Sequence, residues 1–362
     1  MPRIPFSLIL KAQRESQLLS LLLKECRTID SARNELRWLR ERAIRDSWSL
    51  SRSKTRWKSR LRSMCQLRSK GYPLQYILGD QPFGDLEILC KKGVLIPRPE
   101  TESYTYQAAK LVRQMALDSI DKPRSGSHAR PLRIIDLCTG TGCIPLLLHA
   151  LLAPHFQTMS ITGIDISPIA LNLAQTNLKH NLQLGKLTSR ASTDIQFHRG
   201  NVLGSSSDDP IPSIDSLFLP YNLKSSSSPA DQTADCDLLI SNPPYISQHE
   251  FGNGTTARSV RLFEPKMALV PPSSVTEGAG RPEDIFYHRI LALAFKLRAK
   301  ITVFECGDLD QAKRVIALHE TLASRESGQY RAEVWPSSEG DLAENGFHAT
   351  DGSRGVIIQR LS

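Results

Sequence analysis

Cysteine pairing is the first thing this chain lacks. Its seven cysteines, at positions 26, 65, 90, 138, 143, 236 and 306, form no CxxC pair and have no histidine at finger spacing. A zinc module and a disulfide framework are thereby excluded, no metal is expected, and a reducing compartment is indicated. Long apolar runs are also missing. The longest, IPLLLHALLA from Ile144 to Ala153, is interrupted by His149 and is too short for a bilayer, so it reads as a buried helix and no membrane partner is expected. Acid is scarce at one end: residues 1–70 hold 18 Lys/Arg against 6 Asp/Glu, a net +12 in a chain whose total is +9. Such a segment either docks on an acidic protein face or RNA, or is a solvated helical surface. Its first 14 residues carry Arg3, Lys11 and Arg14 and no acid. Organellar presequences have this composition, as do short basic N-termini of bacterial or cytosolic proteins.

What is present divides the chain in three. Residues 1–72 read as a basic helical domain. Leu36, Leu39 and Ala43 recur at helical spacing, Arg33, Arg37 and Arg40 fall on another face, and Asp30 or Ser31 is placed to cap the helix. Residues 73–130 read as a β-hairpin, with extended runs on either side of Lys91-Lys92-Gly93, followed by the polar linker DKPRSGSHARP. From 131 to 362, strands expected at 133–137, 160–165, 195–199, 237–241, 301–305, 330–335 and 355–360 alternate with helical stretches. That order predicts an α/β domain with a doubly wound, seven-stranded, mostly parallel sheet whose last two strands pair antiparallel. Residues 204–235, rich in Ser, Pro and Asp, read as a surface insertion that buries too little apolar area to be a core element.

The first strand runs into Cys138-Thr139-Gly140-Thr141-Gly142 and then a helix that tolerates Pro145 in its first turn. Glycines in that turn let the backbone approach a ligand at the carboxyl edge of the sheet. The second strand ends at Asp165, 23 residues beyond Gly142, where a carboxylate can bridge two ribose hydroxyls. Asn201 after the third strand is a candidate acceptor for an adenine amine, with Val202 against the ring. A pyrophosphate-cradling GxGxxG is absent, so S-adenosyl-L-methionine, which has no phosphate, fits better than a dinucleotide.

A fourth strand ends in Ser241-Asn242-Pro243-Pro244-Tyr245. The prolines make the exit rigid and remove two amide donors. What remains is a fixed set of acceptors, the Asn242 side-chain oxygen and a prolyl carbonyl, beside an aromatic face. Such a set suits a planar NH2 group, on an amide or on a nucleobase.

Seven motifs occur in order: PLQYILGDQPFGDLEI from Pro73, VLIPRPETE from Val94, DLCTGTG from Asp136, SNPPYI from Ser241, FEPKMAL from Phe263, FECGDLDQA from Phe304 and DGSRGVIIQ from Asp351. On these the chain resembles the HemK/PrmC family of protein-(glutamine-N5) methyltransferases across about residues 70–362. The resemblance implies a class I S-adenosylmethionine-dependent methyltransferase fold, Rossmann-like, and methylation of the glutamine in the GGQ motif of a peptide chain release factor. It implies that Asn242, Pro243, Pro244 and Tyr245 hold the glutamine amide, that Thr139 to Gly142 and Asp165 hold the cofactor, and that Arg98 to Glu102 lie near the site mouth. Cys138 stands where the family usually has glycine, which implies backbone angles there acceptable to an L-residue. Asn201 stands where it usually has aspartate. The Ser-rich insertion and basic leader resemble a fungal mitochondrial member, so the matrix is the expected location, the cytoplasm otherwise. The rival enzyme is an adenine-N6 methyltransferase acting on RNA or DNA, and the rival of another class is a non-catalytic module that keeps the fold. No further recognition domain follows Asn242, so direct nucleic-acid binding is not expected. The glycine turn and NPPY, which a dead scaffold would lose, are intact. Glu100, Glu102 and Glu264 read as surface or structural carboxylates, and His149 as a packed histidine.

Overall fold

A computed structural model describes residues 3–50, 56–120, 130–204, 211–218, 235–273, 278–336 and 354–361. Helices α1 (Phe6–Glu15), α2 (Gln17–Cys26), α3 (Ile29–Leu50) and α4 (Arg56–Ser69) form the N-terminal unit, and α5 (Leu74–Leu78) extends it. Its core is Leu19, Leu22, Leu23, Leu39, Ala43, Leu61 and Met64, one face of each helix at 3.6-residue spacing. Arg33, Arg37 and Arg40 are exposed on the opposite side of α3. Neither Asp30 nor Ser31 caps α3: the Thr28 hydroxyl accepts from the Ser31 backbone N–H, because the helix begins two residues earlier than the polar pair suggests.

The hairpin is strands β1 (Asp80–Phe83) and β2 (Leu86–Leu89), and its turn lies at Gly84-Asp85, not at Lys91 to Gly93. Gly84, with φ of 57°, supplies the left-handed residue such a two-residue turn needs. The free edge of β2 is covered by α8 (Pro168–Gln183): Asn177 accepts from Leu89 N–H and Asn181 from Glu87 N–H, and both side chains donate back to the same strand. The long helix α6 (Pro99–Ile120) fills the stretch between the hairpin and the polar linker, with Tyr104, Ala108 and Val112 in the main core, and residues 121–129 of that linker lie outside the described residues. Pro99 at its first position, with Glu100 and Glu102 in the first turn, is its start signal.

The main sheet has seven strands: β3 (Leu132–Leu137), β4 (Met159–Asp165), β5 (Ile195–Arg199), β6 (Leu238–Ser241), β7 (Ile301–Cys306), β8 (Tyr330–Trp335) and β9 (Arg354–Arg360). Their order is β5-β4-β3-β6-β7-β9-β8, parallel except for β9, which pairs antiparallel with β7 and β8. Alternate residues face opposite layers. Ile134, Ile161 and Ile240 pack on α6 and α7 (Cys143–Leu152), whereas Ile135, Ile164 and Leu239 pack towards α13 (Ile285–Lys296) and α14 (Leu309–Ala323); the short helices α9 (Ala191–Asp194), α11 (Gln248–Asn253) and α12 (Arg258–Phe263) lie in the connections. Among the described residues no helix is long and apolar enough to cross a membrane.

Part of the Ser-rich segment is a core element. Ile211 and Ile214 are buried, the short helix α10 (Ile214–Phe218) packs on the same layer as α13, and Asp215 pairs with Arg289 and Lys296. Two isoleucines suffice to anchor a segment whose average composition is polar. The rest of that insertion, 205–210 and 219–234, lies outside the described residues, as do 1–2 of the basic leader and 351–353 of the closing motif.

Candidate active site

Register brings the motifs together. Leu137 is the Cα partner of Ile164 on one side and of Ser241 on the other, and Ser241 is the partner of Phe304. The chain leaves β3 for β4 and returns on the far side to β6, so the strand order reverses at β3, where open α/β sheets bind ligands. The residues that follow these strand ends, Asp165, Cys138 to Gly142, Asn242 to Tyr245 and Glu305, therefore stand in one row.

The glycine turn is held from below. Gly140 N–H donates to Asp165 Oδ2 at 2.9 Å, Ser167 N–H donates to Oδ1 at 2.8 Å, and Asn177 Nδ2 donates to the Thr141 carbonyl at 2.9 Å. Burial pushes the Asp165 carboxyl up, and these backbone donors pull it back. Cys138 does not have ordinary angles: its φ is 62°, in the left-handed region, so the usual glycine is replaced at a cost in strain and not because the backbone relaxes. Asp136, near the end of β3, is buried, and burial pushes its carboxyl well above the usual range, with the neighbouring Thr139 hydroxyl acting against that shift.

A cavity of about 510 Å³ opens above this turn. Cys138, Thr139, Gly140, Thr141, Asp165, Asn201 and Val202 line it, and the Val94 to Arg98 segment faces them. A Cβ on Gly140 would meet nothing closer than 4.0 Å and would project into open space. On Gly142 it would lie 2.9 Å from the Ala174 Cβ, so this second glycine serves helix packing and not ligand approach. An open glycine, a carboxylate at the end of β4 and an apolar loop suit an adenosyl group, and the volume is that of a small-molecule site. Asn201 is committed to its own loop, accepting from Leu203 N–H at 3.0 Å and donating to the Gly204 carbonyl at 2.7 Å. Its side chain shapes the cavity wall through that turn.

A second, more polar cavity of about 480 Å³ lies beyond Asn242, lined by Tyr245, His249, Glu250, Arg281, Glu305 and Arg314 among others. Asn242 and Arg98 line both cavities. Pro244 faces the first and Pro243 is buried. The loop is fastened at three points: the Ser241 hydroxyl donates to the Leu137 carbonyl, Ile246 N–H to Leu269, and Gln311 Nε2 to the Tyr245 carbonyl. Gln311 is in turn held by Asp284, which Arg314 grips with two hydrogen bonds. Tyr245 donates to Glu305 Oε1 at 3.0 Å, Thr101 donates to Glu305 Oε2 at 2.6 Å, and Asn242 Nδ2 donates to Thr101 Oγ1 at 3.3 Å. Burial pushes the Glu305 carboxyl up, while the Thr101 and Tyr245 hydroxyls act against that shift.

Glu264 is structural, accepting from Ile96 N–H and pairing with Arg98, which fixes the segment over the cavities. His149 is fully buried, 3.2 Å from Asp194. Thr101 falls within the Arg98 to Glu102 stretch and Glu305 within FECGDLDQA, but the sequence assigns neither side chain a role of its own. Glu305 does leave a signal, an acid inside the otherwise apolar strand ITVFEC, every residue of which is buried.

No family model matches the chain. The chain is 38% identical over 271 residues to the mitochondrial MRF1 N(5)-glutamine methyltransferase MTQ1 of Saccharomyces cerevisiae, covering 75% of this chain and 68% of that protein. It is 34% identical over 278 residues to the probable MRF1 mitochondrial N(5)-glutamine methyltransferase mtq1 of Schizosaccharomyces pombe, covering 74% of each. To the release factor glutamine methyltransferase of Chlorobaculum tepidum it is 32% identical over 212 residues, 59% of this chain and 57% of that one. Among solved structures, the human METTL16 catalytic domain in complex with an RNA hairpin superposes with a TM-score of 0.47 at 16% identity, covering 83% of this chain and 82% of that one. With two relatives above 30% identity over most of both chains, and with a glycine turn and NPPY loop meeting at the switch point of the sheet, the chain belongs to the release factor N5-glutamine methyltransferase family.

Proposed function

We propose that this enzyme transfers the methyl group of S-adenosylmethionine to the side-chain amide nitrogen of the glutamine in the GGQ motif of a mitochondrial release factor. The observation that carries the reading is the position of Asn242, which lines both the cavity above the glycine turn and the polar cavity beyond it.

A carboxamide nitrogen is a poor nucleophile because its lone pair is delocalised into the carbonyl. Two fixed acceptors, Asn242 Oδ1 and the Pro243 carbonyl, would take its two N–H bonds and turn the lone pair towards the first cavity. Pro243 and Pro244 keep those acceptors in place, and Tyr245 closes the side of the pocket. Asp165 and the open Gly140 would hold the adenosine end, with Val202 against the ring. When bound, S-adenosylmethionine supplies an electrophilic methyl carbon on a sulfonium, whose transfer leaves the C–S electron pair on sulfur while one amide proton passes to water. Positioning and fixed dipoles account for the acceleration, with no covalent enzyme intermediate.

Incubation with labelled cofactor and a GGQ-containing release factor, followed by mass mapping, should place one methyl group on that glutamine. Asn242→Ala should lower the rate about 10² to 10³-fold at saturating cofactor, by analogy with the loss of one preorganised group from an oxyanion hole. Label found on adenine in RNA, or an alanine variant at the wild-type rate, would overturn the reading.

A further inference from the structure

We propose that Thr101 and Glu305 are positioning residues, which turn the carboxamide of Asn242 so that its oxygen, and not its NH2 group, faces the substrate amide. This rests on the acceptor role given to Asn242 above and assigns what enforces it.

An asparagine amide is nearly symmetric in shape, so its orientation is decided by its partners. Here the partners are ordered. Both oxygens of Glu305 already accept a hydroxyl proton, one from Tyr245 and one from Thr101. Thr101 has a single proton, spent on Glu305 at 2.6 Å, and so can only accept from Asn242, which donates through Nδ2 at 3.3 Å. Rotating the amide by half a turn would bring Asn242 Oδ1 against an oxygen with no proton to offer. Two acceptors would then face each other with little water to relieve them, since Thr101 and Glu305 are each 2% exposed. The correctly turned Oδ1 is left on the cavity side. The three residues come from the first turn of α6, the loop after β6 and the end of β7, so the amide is aimed by parts of the fold 141 and 204 positions apart in the chain.

The test uses the full chain with S-adenosylmethionine and a GGQ-containing release factor. Thr101→Val removes the hydroxyl at nearly constant volume and should lower kcat about tenfold to 10²-fold, the size expected when a reacting group is misdirected. KM for the release factor and calorimetric affinity for S-adenosylhomocysteine should stay within about threefold, since neither contact is removed. Thr101→Ser keeps one hydroxyl and should recover most of the rate. In an Asn242→Ala background there is no amide to aim, so adding Thr101→Val should cost less than about twofold further. If Thr101→Val does not yield folded protein, Thr101→Ala carries the same expectations. A valine variant at the wild-type rate, a serine variant as slow as valine, or losses that multiply in the double variant would each overturn the inference while leaving Asn242 in its role. A wild-type rate for Asn242→Ala alone would overturn both.

Discussion

Replacing Asp165 by alanine separates cofactor binding from chemistry. In the folded chain its two oxygens accept from Gly140 and Ser167 N–H at 2.9 and 2.8 Å, and Asp165 also lines the cavity proposed for the cofactor. Losing a charged acceptor costs about 1.5 to 3 kcal/mol. At about 1.4 kcal/mol per decade this weakens the cofactor about 10- to 150-fold. The turn loosens as well, because the Gly140 N–H loses its partner, so the upper part of that range is expected. Calorimetric titration with S-adenosylhomocysteine reads the affinity, and single-turnover methylation at saturating cofactor reads the chemistry. The maximal rate should change only a few-fold, since Asp165 does not touch the reacting amide. Asp165→Asn keeps one acceptor oxygen and should fall between alanine and wild type. Unchanged affinity in the alanine variant, or a loss confined to the rate, would refute the assignment.

Cys138→Gly removes left-handed strain worth about 1 to 2 kcal/mol, offset by about 0.5 to 1 kcal/mol of added backbone entropy, so the melting midpoint should rise slightly; a fall would count against the strain argument. Gly307→Ala places a Cβ 3.2 Å from Tyr245 Cδ2 and 3.3 Å from Gln311 Oε1, and methylation should slow while S-adenosylhomocysteine affinity stays unchanged. Ile214→Ala should destabilise by about 2 to 5 kcal/mol in denaturant titration, whereas replacing only 221–234 with a short Gly/Ser loop should leave activity within a few-fold; equal tolerance of both would mean that α10 contributes nothing. Burial raises the Asp237 carboxyl, but Arg130, the Arg133 N–H and Lys300 outweigh it and hold the group below its usual range. A depressed carboxylate stabilises the fold above its unfolded value, near 3.8, and that contribution disappears as pH falls through the lower folded value. Arg130→Ala should therefore bring acid unfolding to higher pH, as followed by circular dichroism.

Much of the domain was legible because its signals are local. The strands at the core of the sheet are short runs of Ile, Leu and Val, buried on both faces, and their observed bounds differ from those read in sequence by at most one residue. The glycine turn and NPPY are likewise contiguous, and strand register alone carries them to the same edge. Local pattern failed where a few residues decide against the average. The two isoleucines of the Ser-rich segment anchor it, Gly84 sets the hairpin turn at 84–85 and not at the expected 91–93, and Cys138 takes a glycine-like angle because the turn between β3 and α7 requires it. What only the tertiary structure decided is which way Asn242 points. The sequence determines an acceptor and a donor on one side chain, in a loop stiffened by two prolines. Their assignment depends on a hydroxyl in α6 whose only proton goes to a carboxylate in β7, so that the hydroxyl is left to accept from the Asn242 amide.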